Sequence, residues 1–293
     1  MVNIPVFLAS DDNYAPYVAS TMASICDNTK SFIDFYILDG GITEENKEKI
    51  AKLKEKFDNF SLEFIYVDLE KEFKGFHTSG YITLSSYSRF LIPQLKTNLG
   101  KIIYSDVDVI AMGDIAEMYN EDMHGYAVAA VWEEKYENGY NLERKNRLEL
   151  DDSHKYFCAG HLIMDCDKWR QDNTLDKLMK IATEKSDKLV GHDQDALNIC
   201  FSDNYQPLPS KYSYFYGRET LDSLVIRHYT KIKPWEINPN VKNILGSDHD
   251  EFWRYAKMTE FYDDIVLKTK INDESSLKRR IQINNIMEKK WVG

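Results

Sequence analysis

The chain has 293 residues, 43% of them hydrophobic, which is enough to bury a substantial core in one large α/β domain. Its formal charge of −11 argues against nucleic acid as the main partner, so an anionic ligand must meet local positive charge. No apolar run approaches the roughly 20 residues that cross a bilayer. The start has no secretory pattern, and the cysteines lack the spacing of a disulfide framework. We therefore expect a cytoplasmic protein with reduced cysteines.

The first third of the chain alternates between strand and helix patterns. The predicted strands begin at Ile4, Phe32, Leu62 and Ile102, and the predicted helices run from Tyr17 to Cys26 and from Thr43 to about Phe57. This rhythm predicts a parallel, twisted sheet. Ligands of such sheets gather at the carboxyl ends of the strands, where the sequence places Asp11, Asp12 and Asn13 after the first strand and Asp106 and Asp108 after the fourth.

Beyond Asp108 the pattern is less regular. A short helix is predicted from Gly113, strands from Tyr126, Gly160 and Leu224, helices from Lys168 to Thr183 and after His192, and aromatic helices from Phe252. The polar segment from Trp132 to Asp152 is a candidate mobile lid, where we expect acceptor selection. The tail from Ser275 to Gly293 mixes basic and apolar residues, which is typical of a peripheral membrane helix and also of a soluble terminal helix.

The most informative motif is Asp106-Val107-Asp108, which ends an apolar, β-type run. Side chains two residues apart in an extended chain share one face, roughly 6.6 Å apart along the backbone. Two unpaired carboxylates this close would repel by roughly 1 to 4 kcal/mol, which favours a bound divalent cation. Hard oxygen ligands suit Mg²⁺ or Mn²⁺. The alternative is a strand end whose acids only cap the next helix.

Six blocks of the sequence stand out together: Ala9–Tyr14, Ser86–Arg89, Tyr104–Asp108, Phe157–Gly160, His192–Asp195 and His228–Trp235. In order and approximate spacing they resemble those of glycosyltransferase family 8, and the match covers roughly residues 4–240. The family contains the bacterial lipopolysaccharide galactosyl- and glucosyltransferases and the glycogenins. Six blocks in order are far more specific than any one of them alone.

The resemblance implies a GT-A type, Rossmann-like nucleotide-diphospho-sugar transferase with a mostly parallel central sheet. The transferase domain would span residues 1–240, and a helical C-terminal extension would span residues 241–293. The implied reaction is retaining transfer of a hexose, glucose or galactose, from a UDP-sugar to a saccharide or glycoconjugate acceptor. The implied metal is Mn²⁺, with Mg²⁺ as the alternative ion.

Residue roles carry over by position. Asp106, Asp108 and His228 resemble metal ligands, and Asp11, Asn13 and Tyr14 resemble uracil and ribose contacts. Arg89 resembles a residue near the donor diphosphate and sugar, Lys233 resembles a diphosphate contact, and Val107 belongs to the donor-binding set. Ala159, Gly160, Asp193 and Gln194 would surround the donor hexose. Positive charge on Arg89 and Lys233 suits a departing diphosphate. An oxygen of Asp193 or Gln194 could stabilise the oxocarbenium-like sugar. Double displacement and same-face attack both remain open, and we favour the same-face route.

Two positions depart from the family pattern. Cys158 stands where many relatives carry an asparagine that faces the donor sugar, and Lys231 stands where a glycine often helps to admit the diphosphate. A lone histidine after a strand, such as His228, is more often structural than a ligand. Asp11 could be only a turn residue, with Asn13 as its partner.

Two other functions remain alternatives at this stage. The segment Ile102–Val109 also resembles the first motif of haloacid-dehalogenase-like phosphatases, in which the first acid is a nucleophile. A catalytically silent sugar-nucleotide-binding protein would show the same blocks.

Overall fold

The computed structural model describes residues 3–78, 83–133, 139–202, 204–214, 223–230, 233–236 and 249–268. The strands are β1 (Ile4–Ser10), β2 (Ile33–Asp39), β3 (Phe60–Tyr66), β4 (Lys101–Ser105), β5 (Val109–Ala111), β6 (Val128–Trp132), β7 (Phe157–Asp165), β8 (Gln206–Pro207) and β9 (Ile226–His228). The α-helices are α1 (Ala15–Asn28), α2 (Glu44–Ala51), α3 (Leu69–Glu72), α4 (Ile92–Leu95), α5 (Ala116–Tyr119), α6 (Gly139–Leu148), α7 (Cys166–Gln171), α8 (Thr174–Glu184), α9 (His192–Cys200), α10 (Asp250–Ala256) and α11 (Tyr262–Lys268).

The central sheet has seven strands in the order β3-β2-β1-β4-β7-β6-β8. Strand β1 pairs in parallel with β2 and β4, and β2 pairs in parallel with β3. Strand β7 runs antiparallel to both β4 and β6, so β6 points in the same direction as β1 and β4. The carboxyl ends of β1, β4 and β6 and the start of β7 therefore share one edge. This confirms the mostly parallel sheet predicted from the sequence.

Helix α1 supports the segment that follows β4. Its small residues allow close packing, and every side chain from Ala15 to Cys26 is buried. The Thr21 hydroxyl lies 3.0 Å from the carbonyl oxygens of both Val107 and Val109. These hydrogen bonds hold the backbone on either side of Asp108, while β5 pairs antiparallel with β9 and brings His228 opposite Val109.

The prediction of one continuous helix from Lys168 to Thr183 is wrong. The chain forms α7 and α8 instead, separated at Asn173, whose φ of 51° is left-handed. Asparagine tolerates this region because its short polar side chain can hydrogen-bond locally. Helix α7 has its own N-cap, since the Asp165 side chain accepts a 2.9 Å hydrogen bond from the Lys168 amide. The predicted lid contains the ordered helix α6.

The described part of the C-terminal region packs on α1. Phe252 of α10 lies 6.3 Å from Tyr17 between ring centroids, and the Asn28 amide donates a 2.7 Å hydrogen bond to the Tyr255 hydroxyl. Two predicted features lie outside the described residues: the domain boundary between residues 240 and 241, and the tail from Ser275 to Gly293. Within the described ranges, no helix has the length and apolar character of a membrane span.

Candidate active site at the carboxyl edge of the sheet

Asp106 sits where β4 ends and meets the start of β7. Its backbone amide donates a 2.8 Å hydrogen bond to the Gly160 carbonyl. Its side-chain Oδ1 accepts hydrogen bonds of 2.9 Å from both Arg89 and the Tyr104 hydroxyl. Two donors on one oxygen fix the orientation of this carboxylate, so that its other oxygen faces Gly160 and His228.

Asp108 is surrounded by positive charge. Its Oδ2 forms an ion pair with Lys233, and its Oδ1 lies 3.2 Å from His228 Nε2. The Lys233 ammonium also donates a 2.6 Å hydrogen bond to the Tyr229 carbonyl. Burial opposes charge on Asp108, but Lys233 and His228 outweigh it and hold the pKa of Asp108 below its usual value. Burial likewise opposes charge on His228, and Asp108 with Cys158 outweighs it and raises the pKa of His228 to about 10.

Asp106, Asp108 and His228 can hold a divalent metal. Each offers one ligand atom, and these atoms all lie within 4.8 Å of one another. Asp108 Oδ1 is buried and makes no well-formed hydrogen bond, so it has capacity for a further partner. A Cβ at Gly160 would stand 2.5 Å from His228 Cε1 and 2.9 Å from Asp106 Oδ2, so only glycine leaves this space open. Two carboxylates and an imidazole suit Mn²⁺ or Mg²⁺, and the set therefore fits the expected ion.

Arg89 links the metal-binding side of the site to the predicted sugar side. Its side chain is buried and pairs with Asp106 at 2.9 Å and with Asp193 at 3.1 Å. It also donates to the carbonyl oxygens of Ser86 and Ala159. Burial opposes its charge, but the two carboxylates outweigh this and raise the pKa of Arg89 further. The planar guanidinium makes all these contacts at once, which the ammonium of a lysine could not do.

Asp193 and Gln194 lie at the start of α9, beside the start of β7. Gln194 Oε1 accepts a 2.9 Å hydrogen bond from the Ala159 amide. Asp193 is buried, pairs with Arg89 and accepts a hydrogen bond from Ser86. Burial outweighs these contacts and raises the pKa of this carboxyl to about 6. Asp193 is therefore ionised at neutral pH, but it accepts a proton more readily than an exposed aspartate.

The residues after β1 form a turn. Asp11 Oδ1 accepts hydrogen bonds from the amides of Asn13 at 3.0 Å and Tyr14 at 3.2 Å, which is the turn role that the sequence left open. The Tyr14 ring meets Trp235 edge to face at 6.4 Å, and Tyr17 stacks on the same tryptophan at 3.6 Å. Since β1 and β4 are neighbours, this turn lies at the same edge of the sheet as the metal-binding acids.

Val107 and Cys158 have more local surroundings. Val107 is buried in the apolar cluster that contains α1 residues, so its side chain serves packing. Cys158 Sγ lies 3.7 Å from His228 Nδ1 and accepts a 3.4 Å hydrogen bond from the Gly160 amide. The thiol thus contacts the imidazole here. Lys231 lies outside the described residues.

Sequence reasoning missed several residues of this site. Tyr104 braces Asp106, while Glu133 and Tyr156 hydrogen-bond to Gln194, and Asp195 accepts from Tyr156. Glu133 could have been found, because it directly follows β6, and the rule that favoured acids at the ends of β1 and β4 applies to β6 as well. Tyr104 opens the block Tyr104–Asp108, but the block gave it no role of its own, and no comparable pattern in the sequence marks Tyr156.

Comparison with solved structures defines the class of fold. The galactosyltransferase LgtC, solved with donor and acceptor sugar analogs, matches at a TM-score of 0.77 and 23% identity. The match covers 88% of this chain and 96% of that chain. At this identity the likeness shows the fold, which is the GT-A glycosyltransferase fold.

Sequence relatives define the family. The model of glycosyl transferase family 8 matches residues 5–238, and the chain belongs to this family. General stress protein A of Bacillus subtilis is 30% identical over 272 residues, which are 85% of this chain and 92% of that protein. Glycosyltransferase GlyF of Streptococcus pneumoniae is 27% identical over 242 residues, 78% of this chain but only 56% of that protein. Family membership favours a transferase over the phosphatase alternative.

Proposed function

We propose that this protein is a retaining hexosyltransferase that moves glucose or galactose from a UDP-sugar to a saccharide or glycoconjugate acceptor. The observation that carries the proposal is the cluster of Asp106, Asp108 and His228, flanked by the buried cations Lys233 and Arg89. In a chain with a net charge of −11, this is where local positive charge can receive an anionic diphosphate.

Mn²⁺ is the proposed ion, held by the two carboxylates and the imidazole. When bound, it would polarise the phosphate oxygens and stabilise negative charge on the leaving UDP. Lys233 and Arg89 contribute fixed positive charge beside those ligands, so charge that develops on a diphosphate at this edge is stabilised without a proton donor. Asp11, Asn13 and Tyr14 are proposed to bind the uracil and ribose, because they lie at the neighbouring strand end.

The sugar side favours the same-face route. Asp193 is paired with Arg89 at 3.1 Å, and Gln194 is a neutral amide, so neither is a strong nucleophile toward the anomeric carbon. Both can still place oxygen lone pairs toward a cationic sugar centre. We therefore propose that the acceptor attacks from the side that UDP leaves, and that a phosphate oxygen takes the acceptor proton.

The donor and the acceptor are proposed at the level of class. LgtC, which shares the fold, is a galactosyltransferase, and this supports galactose as one candidate; glucose is the other hexose that the sequence resemblance implies. The segment from Trp132 to Asp152, which includes α6, is the proposed region of acceptor selection. The cytoplasmic location and the membrane contact of the tail stay predictions, with the free cysteines as support for the first.

The test is UDP release from UDP-glucose and UDP-galactose, with a panel of saccharide acceptors, in Mn²⁺ and after chelation. We expect turnover with one of the two donors that requires the metal and disappears in Asp106→Asn. Ligand-dependent thermal stabilisation measures donor binding separately. Stabilisation by UDP-sugar with no turnover on any acceptor would support a silent binder and contradict the proposal.

A further inference from the structure

The side-chain amide of Gln194 is held in one orientation. Its Oε1 accepts a 2.9 Å hydrogen bond from the Ala159 backbone amide, and its Nε2 donates a 3.1 Å hydrogen bond to a carboxylate oxygen of Glu133. A backbone N–H can only donate, and a carboxylate can only accept. A flipped amide would set donor against donor and acceptor against acceptor, so these two partners exclude the flip.

Tyr156 takes the second hydrogen of the same amide nitrogen. Its hydroxyl lies 3.2 Å from Gln194 Nε2 and 2.6 Å from Asp195 Oδ1. Burial, with Asp195 nearby, raises the pKa of Tyr156 well above its usual value, so the hydroxyl keeps its proton. It donates that proton to Asp195 and accepts from Gln194. Both Nε2 hydrogens are thus used, while Oε1 keeps one lone pair beyond its bond to Ala159.

Two arginines of α6 fix the carboxylates on which this arrangement depends. Arg144 pairs with the other oxygen of Glu133 at 2.8 Å, and Arg147 pairs with Asp195 at 3.0 Å. The two arginines are three residues apart and so share one face of the helix. The Arg144 guanidinium also lies 4.0 Å over the ring of Tyr156. Helix α6, within the predicted acceptor-selecting segment, therefore fixes both groups that accept from the Gln194 NH₂: Glu133 directly, and Tyr156 through Asp195.

We propose that Glu133 and Tyr156 are positioning residues that keep the carbonyl oxygen of Gln194, and not its NH₂ group, available to the donor sugar. The proposal rests on the proposed function, because only a glycosyl transfer develops the cationic centre that this oxygen would stabilise. The negative end of a preorganised amide dipole favours such a centre, and the positive end would oppose it. Correct orientation thus acts on the transition state more than on donor binding.

The kinetic test compares Glu133→Gln, Glu133→Asp and Tyr156→Phe. A glutamine at position 133 can itself donate, so it no longer opposes the flipped amide, and only Ala159 and Tyr156 still do. We expect kcat to fall about tenfold or more, with KM for the UDP-sugar within about twofold. Glu133→Asp keeps an acceptor-only group and should recover part of kcat. Glu63→Gln is the matched control, because it makes the same substitution on strand β3, outside the site, and also breaks an ion pair of the glutamate, here with Lys96. Unchanged kcat in both Glu133→Gln and Tyr156→Phe would overturn the proposal.

A second readout needs no turnover. The chain has five glutamines, so side-chain ¹⁵N labelling of glutamine gives few NMR signals, and Gln194→Asn identifies the one of interest. In the wild-type protein, we expect the Gln194 NH₂ hydrogens to exchange with solvent far more slowly than those of the exposed Gln171. In Glu133→Gln and Tyr156→Phe, the Gln194 hydrogens should exchange faster than they do in the wild type. Exchange as fast as that of Gln171 in the wild-type protein would overturn the proposal. Slow exchange without any UDP release would instead reject the proposed function alone.

Discussion

Acidic residues follow both β1 and β4, yet the two groups have different partners. After β1, Asp11 accepts from backbone amides, and Asp12 Oδ1 accepts from the Thr43 amide at 2.8 Å and the Asn46 side chain at 2.7 Å. After β4, the partners of Asp106 and Asp108 include the cations Arg89, His228 and Lys233.

This difference separates a structural from a chemical use of the same residue type at the same edge of the sheet. Neutral donors satisfy a carboxylate and shape a turn, as after β1. After β4, two carboxylates and an imidazole can hold a metal, and one carboxylate oxygen still has capacity for a further partner. The cations Arg89 and Lys233 beside them can receive an anion. Substitution of Asp12 should therefore act mainly on stability, while substitution of Asp106 or Asp108 should lower activity.

The largest effect is expected for Asp108→Asn. It removes a proposed metal ligand and the counter-ion of buried Lys233, so we expect UDP release to fall by about 10³-fold or more. The buried lysine left without its carboxylate should also lower the free energy of unfolding by about 3 kcal/mol. Initial rates with Mn²⁺ and denaturant unfolding measure the two effects. Activity within tenfold of wild type would show that Asp108 does not bind the ion.

A smaller effect is expected for Arg89→Lys. The lysine keeps the charge but cannot pair with Asp106 and Asp193 while donating to the Ser86 and Ala159 carbonyls. We expect kcat/KM for the UDP-sugar to fall about 10²-fold. The substitution Lys96→Arg, at the half-buried ion-pair partner of Glu63, controls for exchanging one basic side chain for the other. Equal kcat/KM in wild type and Arg89→Lys would show that the guanidinium of Arg89 has no role in the reaction.

The pH dependence should follow Asp193. Burial raises its pKa to about 6, and its pairing with Arg89 requires the ionised form, so kcat/KM should fall as the pH drops below about 6, by about tenfold per unit. The contribution of Asp193 to stability changes with pH in the opposite direction from its effect on activity. The folded pKa exceeds the usual 3.8, so this carboxyl's contribution to the free energy of unfolding is lost as the pH rises from about 4 to 6.

Rate profiles of wild type and Asp193→Asn between pH 5 and 8 test this assignment. The variant should be slower throughout and should lack the break near pH 6. A break that persists in the variant would assign the ionisation to another group.

The smallest effect on activity is expected for Asp12→Ala. It removes the acceptor of hydrogen bonds from Thr43 and Asn46 and should lower the free energy of unfolding by about 1 to 2 kcal/mol. We expect kcat to change less than twofold, because Asp12 faces the start of α2 and not the metal ligands. Thermal unfolding and initial rates, measured on the same preparation, give both numbers. A tenfold loss of kcat would place Asp12 in the active site.

Much of the fold could be predicted because the signals are local. The apolar runs at Ile4 and Ile102 each fill one buried strand, and the rule for parallel sheets then places Asp11 and Asp106 at one edge. The break at Asn173 was not predicted, because asparagine is a weaker helix-end signal than glycine or proline and the residues on both sides have an ordinary helical pattern.

The polar contacts of the site depend on long-range pairing that no local pattern encodes. Lys233 and Asp108 are 125 residues apart, and Glu133 and Gln194 are 61 residues apart. The family blocks identified most of these positions one at a time. They did not show that Lys233 faces Asp108, or that a carboxylate fixes the Gln194 amide, since both follow from how β6, β7 and β9 are placed.

The most direct test of the metal-centred site is a crystal of the protein grown with UDP and Mn²⁺, with anomalous diffraction recorded at the manganese absorption edge. We predict one anomalous peak bonded to carboxylate oxygens of Asp106 and Asp108 and to Nε2 of His228, with the diphosphate on its open side. A peak bound elsewhere, or UDP bound with no peak beside these three residues, would contradict the proposed chemistry.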